Sequence, residues 1–169
     1  MNVIRRIIMA NTTFQGPVRS ENGFKTIVKS ASTGALTNEM TFSQYTATVT
    51  VASGATTGKE SAIGIPSNFI PMGVTIAVTT AATNSVTLTD IGTDADTDGF
   101  VDGISPAINS TGFKGFFPCN GVLGMSGGAT TASTATADEV EVVVSGDPGA
   151  SGVTMVLKFI GIASSSDAS

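Results

Sequence analysis

The stretch 94–102 holds the residues whose types and spacing are best suited to chemistry. Asp94, Asp96 and Asp98 stand at every second position, and Gly99 and Asp102 follow them. Calcium-binding loops space their carboxylates in this way and use a glycine for the sharp bend, because Ca²⁺ is held by a cage of oxygen ligands. The spacing therefore predicts a calcium site formed by Asp94, Asp96, Asp98 and Asp102. The alternative is a solvated acidic turn, since four carboxylates repel each other only modestly at physiological salt.

Two further motifs resemble catalytic or phosphate-binding sequences but lack essential parts of them. The pattern G-x-S-x-G around Ser126 matches a nucleophile elbow, but the chain contains no histidine to accept the serine proton, and no helical pattern follows. The stretch 54–60 resembles a phosphate-binding loop, but its glycines stand one residue too close together, and Glu60 replaces the required Ser or Thr. We therefore predict that the protein is not an enzyme.

Composition disfavours several other classes of protein. Only 12% of the residues are charged and the net charge is −5, so the chain offers no positive field for nucleic acid. The single Cys119 cannot form an internal disulfide, and we predict it to be buried. No apolar run approaches the roughly 18 residues of a transmembrane helix. The apolar start at residues 1–8 is too short for a secretory signal. These features predict a soluble protein made in a cytoplasm, with Met9 as an alternative translation start.

Short alternating patterns predict β-strands. Residues 74–78 and 86–89 alternate branched apolar side chains with Thr or Ala, and residues 139–144 and 153–162 alternate again, with Glu139 and Glu141 expected to face outward. Successive side chains of a strand point to opposite faces, so each strand should bury one face. Turn-rich sequence separates the members of each pair, which predicts two hairpins. The side chains predicted to be buried are Ile76, Val78, Val86, Leu88, Val142, Val144, Leu157 and Phe159.

The fold class follows from these strands. About seven to nine short strands can be drawn along residues 24–163, with no helical period of useful length. Such a pattern is typical of a single antiparallel β-sandwich or jelly-roll-like barrel. We therefore predict one all-β domain over residues 24–163.

Three local patterns carry further predictions. The apolar parity changes between Phe42 and Tyr45, which predicts a β-bulge at residues 43–44. Strand pairing should stop at Pro71 and the chain should turn, because proline has no N–H to donate. The aromatic side chains of residues 113–117 are predicted to join the core, and the alternative is a platform that binds a ligand.

The two ends of the chain lack these alternating patterns. Residues 1–23 show no sustained period and carry isolated apolar side chains at Phe14 and Val18, beside Arg19. This predicts an extended N-terminal arm that orders only against a partner, and the alternative is a disordered tail. Residues 164–169 are predicted to form a flexible C-terminal tail.

Three stretches of the chain resemble a known class of protein. They are residues 9–24 (MANTTFQGPVRSENGF), the run from IPSNFIPMGVTIAVTT to GTDADTDGFVDGI, and residues 150–162 (ASGVTMVLKFIGI). Together they are similar to small β-rich virion structural proteins of tailed bacteriophages, those of marine and cyanobacterial phages especially. The resemblance implies a non-enzymatic capsid decoration or cement protein on the virion exterior, often a trimer, that binds the major capsid protein and stabilises the shell. On this interpretation Phe14, Val18 and Arg19 belong to a capsid-binding arm.

A second function stays open at this point, that of a tail-fibre or head-fibre module that binds a host-surface glycan. Such a module would use the acidic loop and Tyr45. Glycan-binding modules usually present several exposed aromatic rings, whereas this chain has no Trp and one Tyr. The composition therefore favours the capsid decoration protein, with neither nucleic acid nor membrane as a partner.

Overall fold

The computed structural model describes residues 24–29, 32, 36–60, 65, 69–124 and 139–164. These residues form eight β-strands, and none of them is helical. In chain order the strands are β1 (Phe24–Lys29), β2 (Leu36–Val51), β3 (Thr57–Lys59), β4 (Phe69–Thr80), β5 (Leu88–Thr93), β6 (Gly112–Pro118), β7 (Val140–Val144) and β8 (Val153–Ser164). No helix in the described part of the chain is long and apolar enough to cross a membrane.

The strands form two antiparallel sheets. A five-stranded sheet has the order β1-β2-β8-β4-β6, and a three-stranded sheet has the order β3-β7-β5. Every pair of neighbouring strands is antiparallel. Buried side chains of both sheets belong to one hydrophobic cluster, as in two sheets packed face to face. The predicted all-β sandwich is therefore confirmed.

The core between the sheets includes the inward side chains that the alternation identified, together with loop residues such as Phe100. The rings of Phe100 and Phe159 meet edge to face with their centroids 5.5 Å apart, which brings the positive edge of one ring to the negative face of the other. All eight side chains that were predicted to be buried are buried: Ile76, Val78, Val86, Leu88, Val142, Val144, Leu157 and Phe159. For these side chains the alternation was sufficient to find the inner face of the strand.

Neither predicted hairpin forms. Strand β4 lies in the five-stranded sheet and β5 in the three-stranded sheet, and β8 and β7 are divided in the same way. Two strands that face one core from opposite sheets alternate just as two paired strands do, so the pattern cannot separate the two arrangements. The connecting segments, residues 81–87 and 145–152, cross between the sheets. They are tied together where the amides of Thr83 and Asn84 donate to the carbonyl of Pro148, at 2.8 and 3.2 Å.

The predicted bulge in β2 is absent. Strand β2 pairs with β8 without a break in register from Met40 to Val51. Phe42 has the same parity as Thr46, and both side chains are exposed on the outer face of the sheet. The change of parity in the sequence therefore marks an apolar residue that faces outward.

Pro71 lies inside β4 and does not end its pairing. It is opposite Gly161 of β8, and the register shifts between Pro71 and Gly73. A proline is tolerated at such an irregularity because the ladder is already interrupted there. The prediction that pairing stops at this proline was wrong.

Candidate functional site

The outer face of the five-stranded sheet carries large exposed apolar side chains. The most exposed are Phe42, Met72, Phe113, Phe116 and Ile160, with 48, 37, 69, 54 and 42% of their surfaces accessible. We call these five residues the apolar face. Soluble proteins rarely expose a contiguous apolar patch of this kind unless it contacts another molecule.

The strand register assembles these side chains into one patch. Phe42 of β2 lies opposite Ile162 of β8, and Ile162 lies opposite Ile70 of β4, so three apolar side chains form a row across the sheet. Farther along, Ala77 of β4 lies opposite Phe113 of β6. Side chains directly opposite each other in an antiparallel pair have their Cβ atoms about 5 Å apart and are in contact range.

A glycine in β4 makes room for one of the exposed rings. A Cβ atom on Gly73 would lie 2.1 Å from Cζ of Phe116, so the ring lies over the glycine backbone. The prediction that the aromatic residues of β6 join the core was wrong for Phe113 and Phe116. Phe117 packs partly against the core. The register of β6 shifts between Ile76 and Ala77 of its partner strand, and this irregularity was not visible in the sequence.

Charge is sparse and of one sign on the part of this sheet that carries the apolar face. Residues 42–51 of β2 and the whole of β4, β6 and β8 contain two lysines, Lys114 and Lys158, and no carboxylate. Lys114 donates from Nζ to Oγ of Ser110 at 2.8 Å. Lys158 is exposed on β8, the central strand of the sheet.

The outer face of the three-stranded sheet is covered by the acidic loop. The main-chain oxygen of Asp96 would lie 2.0 Å from a Cβ on Gly92 of β5, so the loop backbone packs directly on that strand. The amides of Thr93 and Gly99 both donate to this oxygen, at 2.8 and 3.1 Å. The loop is therefore a compact turn seated on the sheet.

The four aspartates of the loop do not converge on one point. Asp94 forms an ion pair with Lys59 of β3, whereas Asp96 and Asp98 interact with each other, and Asp102 is exposed. The hydrogen bond with Asp98, together with burial, raises the pKa of Asp96. In the part of the chain that the structure describes, no group of three or more His, Cys, Asp or Glu side chains is placed to hold a metal. Calcium binding at this loop stays a prediction.

Lys59 joins the acidic loop to the sheet beneath it. Its Nζ pairs with Asp94 and lies 3.9 Å from Oε2 of Glu141 on the central strand β7. The hydrogen bond from Lys59 lowers the pKa of Asp94. Glu141 points away from the core, as predicted, but it is only 5% exposed. This carboxylate lies on the outer face of its sheet but beneath its neighbours.

Tyr45 has a polar partner beside the core. Its hydroxyl donates to Oε2 of Glu60 at 2.6 Å, and its ring lies 6.4 Å from that of Phe159. Burial is the largest cause of the raised pKa of Glu60, and burial followed by this hydrogen bond raises the pKa of Tyr45. Tyr45 thus packs against the core from the five-stranded sheet, while the acidic loop lies on the other sheet.

Cys119 is buried, as predicted. Its side chain has no accessible surface, and burial raises the pKa of its thiol to about 12. A thiol with this pKa is protonated at neutral pH and is a poor nucleophile. The residue therefore serves as a small apolar side chain in the core.

The remaining predicted site residues, Phe14, Val18 and Arg19 of the arm, lie outside the described residues, as does the motif around Ser126.

Comparison of the sequence with protein-family models and with curated proteins finds no match. The apolar face was not predicted, although the sequence of β8 carries a signal for it. Ile160 and Ile162 add apolar side chains on the parity opposite to Leu157 and Phe159.

Proposed function

We propose that this protein is a non-enzymatic virion structural protein of a tailed bacteriophage, a decoration or cement protein that binds the major capsid shell and stabilises it. The observation that supports this most strongly is the apolar face, which an isolated soluble domain would be expected to cover. The resemblance of the sequence to small virion proteins supplies the class of partner. In this proposal the protein lies on the capsid exterior and is a homo-oligomer, specifically a trimer.

The size of the apolar face favours binding to a repeated lattice. Four strands span about 14 Å, and the stretch of β8 from Val156 to Ile162 spans about 20 Å, so the face covers a few hundred Å². A standard protein interface buries about 800 Å² on each partner. One face alone should therefore bind weakly. Linking several copies in an oligomer on a regular shell raises the overall affinity without new kinds of contact.

The N-terminal arm supplies the rest of the contact in this proposal. An extended segment can add a strand to an exposed sheet edge of the shell, with Phe14 and Val18 filling pockets and Arg19 at the rim. Removal of residues 1–23 should leave a folded domain that binds shells poorly. Equal binding by the truncated protein would show that the arm is a tail.

We do not propose the glycan-binding alternative, because no arrangement of the described residues favours it. Tyr45, the aromatic residue that this function requires, packs beside the core and donates its hydroxyl to Glu60. The acidic loop lies on the opposite sheet and is closed by its own contacts. The two parts of the supposed glycan site are therefore not brought together.

Co-sedimentation with capsid shells that lack this protein tests the proposal. Ile160→Asp and Phe116→Asp each place a carboxylate on the apolar face, where contact with an apolar partner would bury it without a partner. We expect both variants to lose binding and to keep the fold. Thr57→Asp makes the same kind of change at an exposed position of β3, on the outer face of the other sheet, and should bind as the wild type does. Binding to purified host glycan and never to shells would overturn the proposal.

A further inference from the structure

The apolar face has a single cation near its middle. Lys158 stands opposite Thr46 of β2 and opposite Thr75 of β4, so both of its cross-strand neighbours are neutral. On the same strand Ile160, two residues away, points to the same side of the sheet. Within the described part of the chain, Lys158 forms no ion pair.

We infer that the capsid partner presents a carboxylate opposite Lys158, at the centre of an otherwise apolar contact surface. This inference rests on the proposed function and specifies the chemistry of the partner. A partner that covers the apolar face also removes water from the ammonium group of Lys158. An ammonium that loses water without gaining a counter-charge is strongly unfavourable, and a carboxylate at hydrogen-bond distance compensates for that loss.

The distribution of charge in the chain agrees with an acidic partner. Residues 42–51 of β2, together with β4, β6 and β8, carry Lys114 and Lys158 and no carboxylate. The acidic loop, with its four aspartates, lies on the other sheet. The protein is therefore anionic overall but has a basic sheet, and complementary potentials steer an anionic surface towards that sheet.

A second copy of the chain does not fit this face. In a two-fold symmetric contact each residue meets its own equivalent or exchanges places with another. Because β8 is the central strand, a face-to-face pair centred on it would bring the two Lys158 side chains together. No carboxylate on residues 42–51 of β2, or on β4, β6 or β8, is available to separate them. The trimer of the proposed function must therefore use other surfaces.

Replacement of Lys158 by methionine distinguishes two cases, one in which a carboxylate of the shell faces this lysine and one in which none does. The two cases predict opposite changes in binding. If a carboxylate of the shell faces Lys158, then Lys158→Met leaves that carboxylate buried without a partner, and binding should weaken at least about 30-fold. If no carboxylate is present, the same change removes a desolvated charge from an apolar contact, and binding should stay equal or become tighter. Lys158→Arg keeps the charge and should stay within about threefold of the wild type.

The experiment is a titration of shells with each variant at low and at physiological salt. Lys59→Met, the same substitution on β3 of the other sheet, is the matched control and should not change the affinity. We expect Lys158→Met to weaken binding and to reduce its dependence on salt, because the lost pair is electrostatic. Equal or tighter binding of Lys158→Met would overturn this inference and leave the proposed function intact. Failure of the wild type to bind shells, or assembly of the wild type into a dimer that Ile160→Asp dissociates, would overturn both.

Discussion

The two sheets share one core but differ in their outer faces. The three-stranded sheet is covered by its own chain, because the acidic loop packs on Gly92 and Lys59 ties Asp94 to the neighbourhood of Glu141. The five-stranded sheet leaves Phe113 and Phe116 more than half exposed. Carboxylates accumulate on the covered side and are nearly absent from the open one. The comparison favours the larger sheet as the contact surface in the function that we propose.

The largest expected effect separates the inner from the outer face of β8. Phe159→Ala removes a fully buried ring that contacts Phe100, and it should lower the free energy of unfolding by about 3–5 kcal/mol. Ile160→Ala, one residue away on the apolar face, should change it by no more than about 0.5 kcal/mol. Urea unfolding of both variants measures the difference. Equal destabilisation would mean that the outer face is packed in the isolated protein, and the distinction between open and covered faces would fail.

The second prediction compares a glycine on each outer face. Gly92→Ala forces a methyl group against the main-chain oxygen of Asp96, which cannot move without opening the loop, and should cost about 1–3 kcal/mol. Gly73→Ala meets the ring of Phe116, an exposed side chain that can turn away, and should cost less than about 0.5 kcal/mol. Thermal unfolding of the two proteins gives the comparison. A larger loss for Gly73→Ala would contradict the view that the apolar face is free to rearrange.

The third prediction concerns Glu60 and Tyr45 beside the core. The pKa of Glu60 is raised in the folded protein, so the folded state binds the proton more tightly than the unfolded state does. The contribution of Glu60 to stability is therefore greatest below the ordinary carboxyl pKa and is lost as the pH rises through the raised value. Glu60→Gln should remove this loss of stability with rising pH. Urea unfolding of the variant and the wild type from pH 4 to 8 measures the free energy of unfolding of each. Parallel pH profiles of the two proteins would contradict the assignment.

A companion change tests the hydrogen bond in this pair. Tyr45→Phe removes the donor to a carboxylate with little access to water, and at neutral pH it should lower stability by about 1–2 kcal/mol. In the Glu60→Gln background the same change should cost less, because the acceptor is then neutral. Additive losses in the double variant would show that the two side chains act independently.

The smallest expected effect is calcium binding at the covered face. Loops with incomplete ligand sets bind Ca²⁺ at about 0.1–1 mM, and this loop brings only Asp96 and Asp98 together. We therefore expect at most a small heat in titration calorimetry of the wild type with millimolar calcium, and none with Asp96→Ala. Absence of heat in the wild type would mean that the loop does not bind calcium. The ion pair of Lys59 with Asp94 and the contact between Asp96 and Asp98 would then be the interactions that close the loop.

The sequence predicted the core well because period-two alternation depends only on which side of a strand is buried. It failed on pairing, since β4 and β5 alternate in the same way whether they lie in one sheet or in two. The predicted calcium loop likewise rested on spacing along the chain. The position of Lys59 beside Asp94 depends on the placement of β3, β7 and β5 in one sheet, which no local pattern encodes.

The apolar face was missed for a related physical reason. Apolar residues were assigned to the core by default, so Phe42 was interpreted as a bulge, and Phe113 and Phe116 as core aromatics. A strand with apolar side chains on both parities is buried on both faces, either within its own protein or against another. In β8 Phe159, Ile160 and Ile162 form such a pattern. A partner outside the chain is the explanation that we propose for this pattern.

The orientation of the protein on a decorated shell tests the central claim most directly. A reconstruction of shells bound to the wild-type protein should place the outer surface of β2, β8, β4 and β6 against the shell, with Lys158 near a carboxylate and the acidic loop facing solvent. A reconstruction in which the acidic loop contacts the shell, while Phe116 and Ile160 face solvent, would contradict the account.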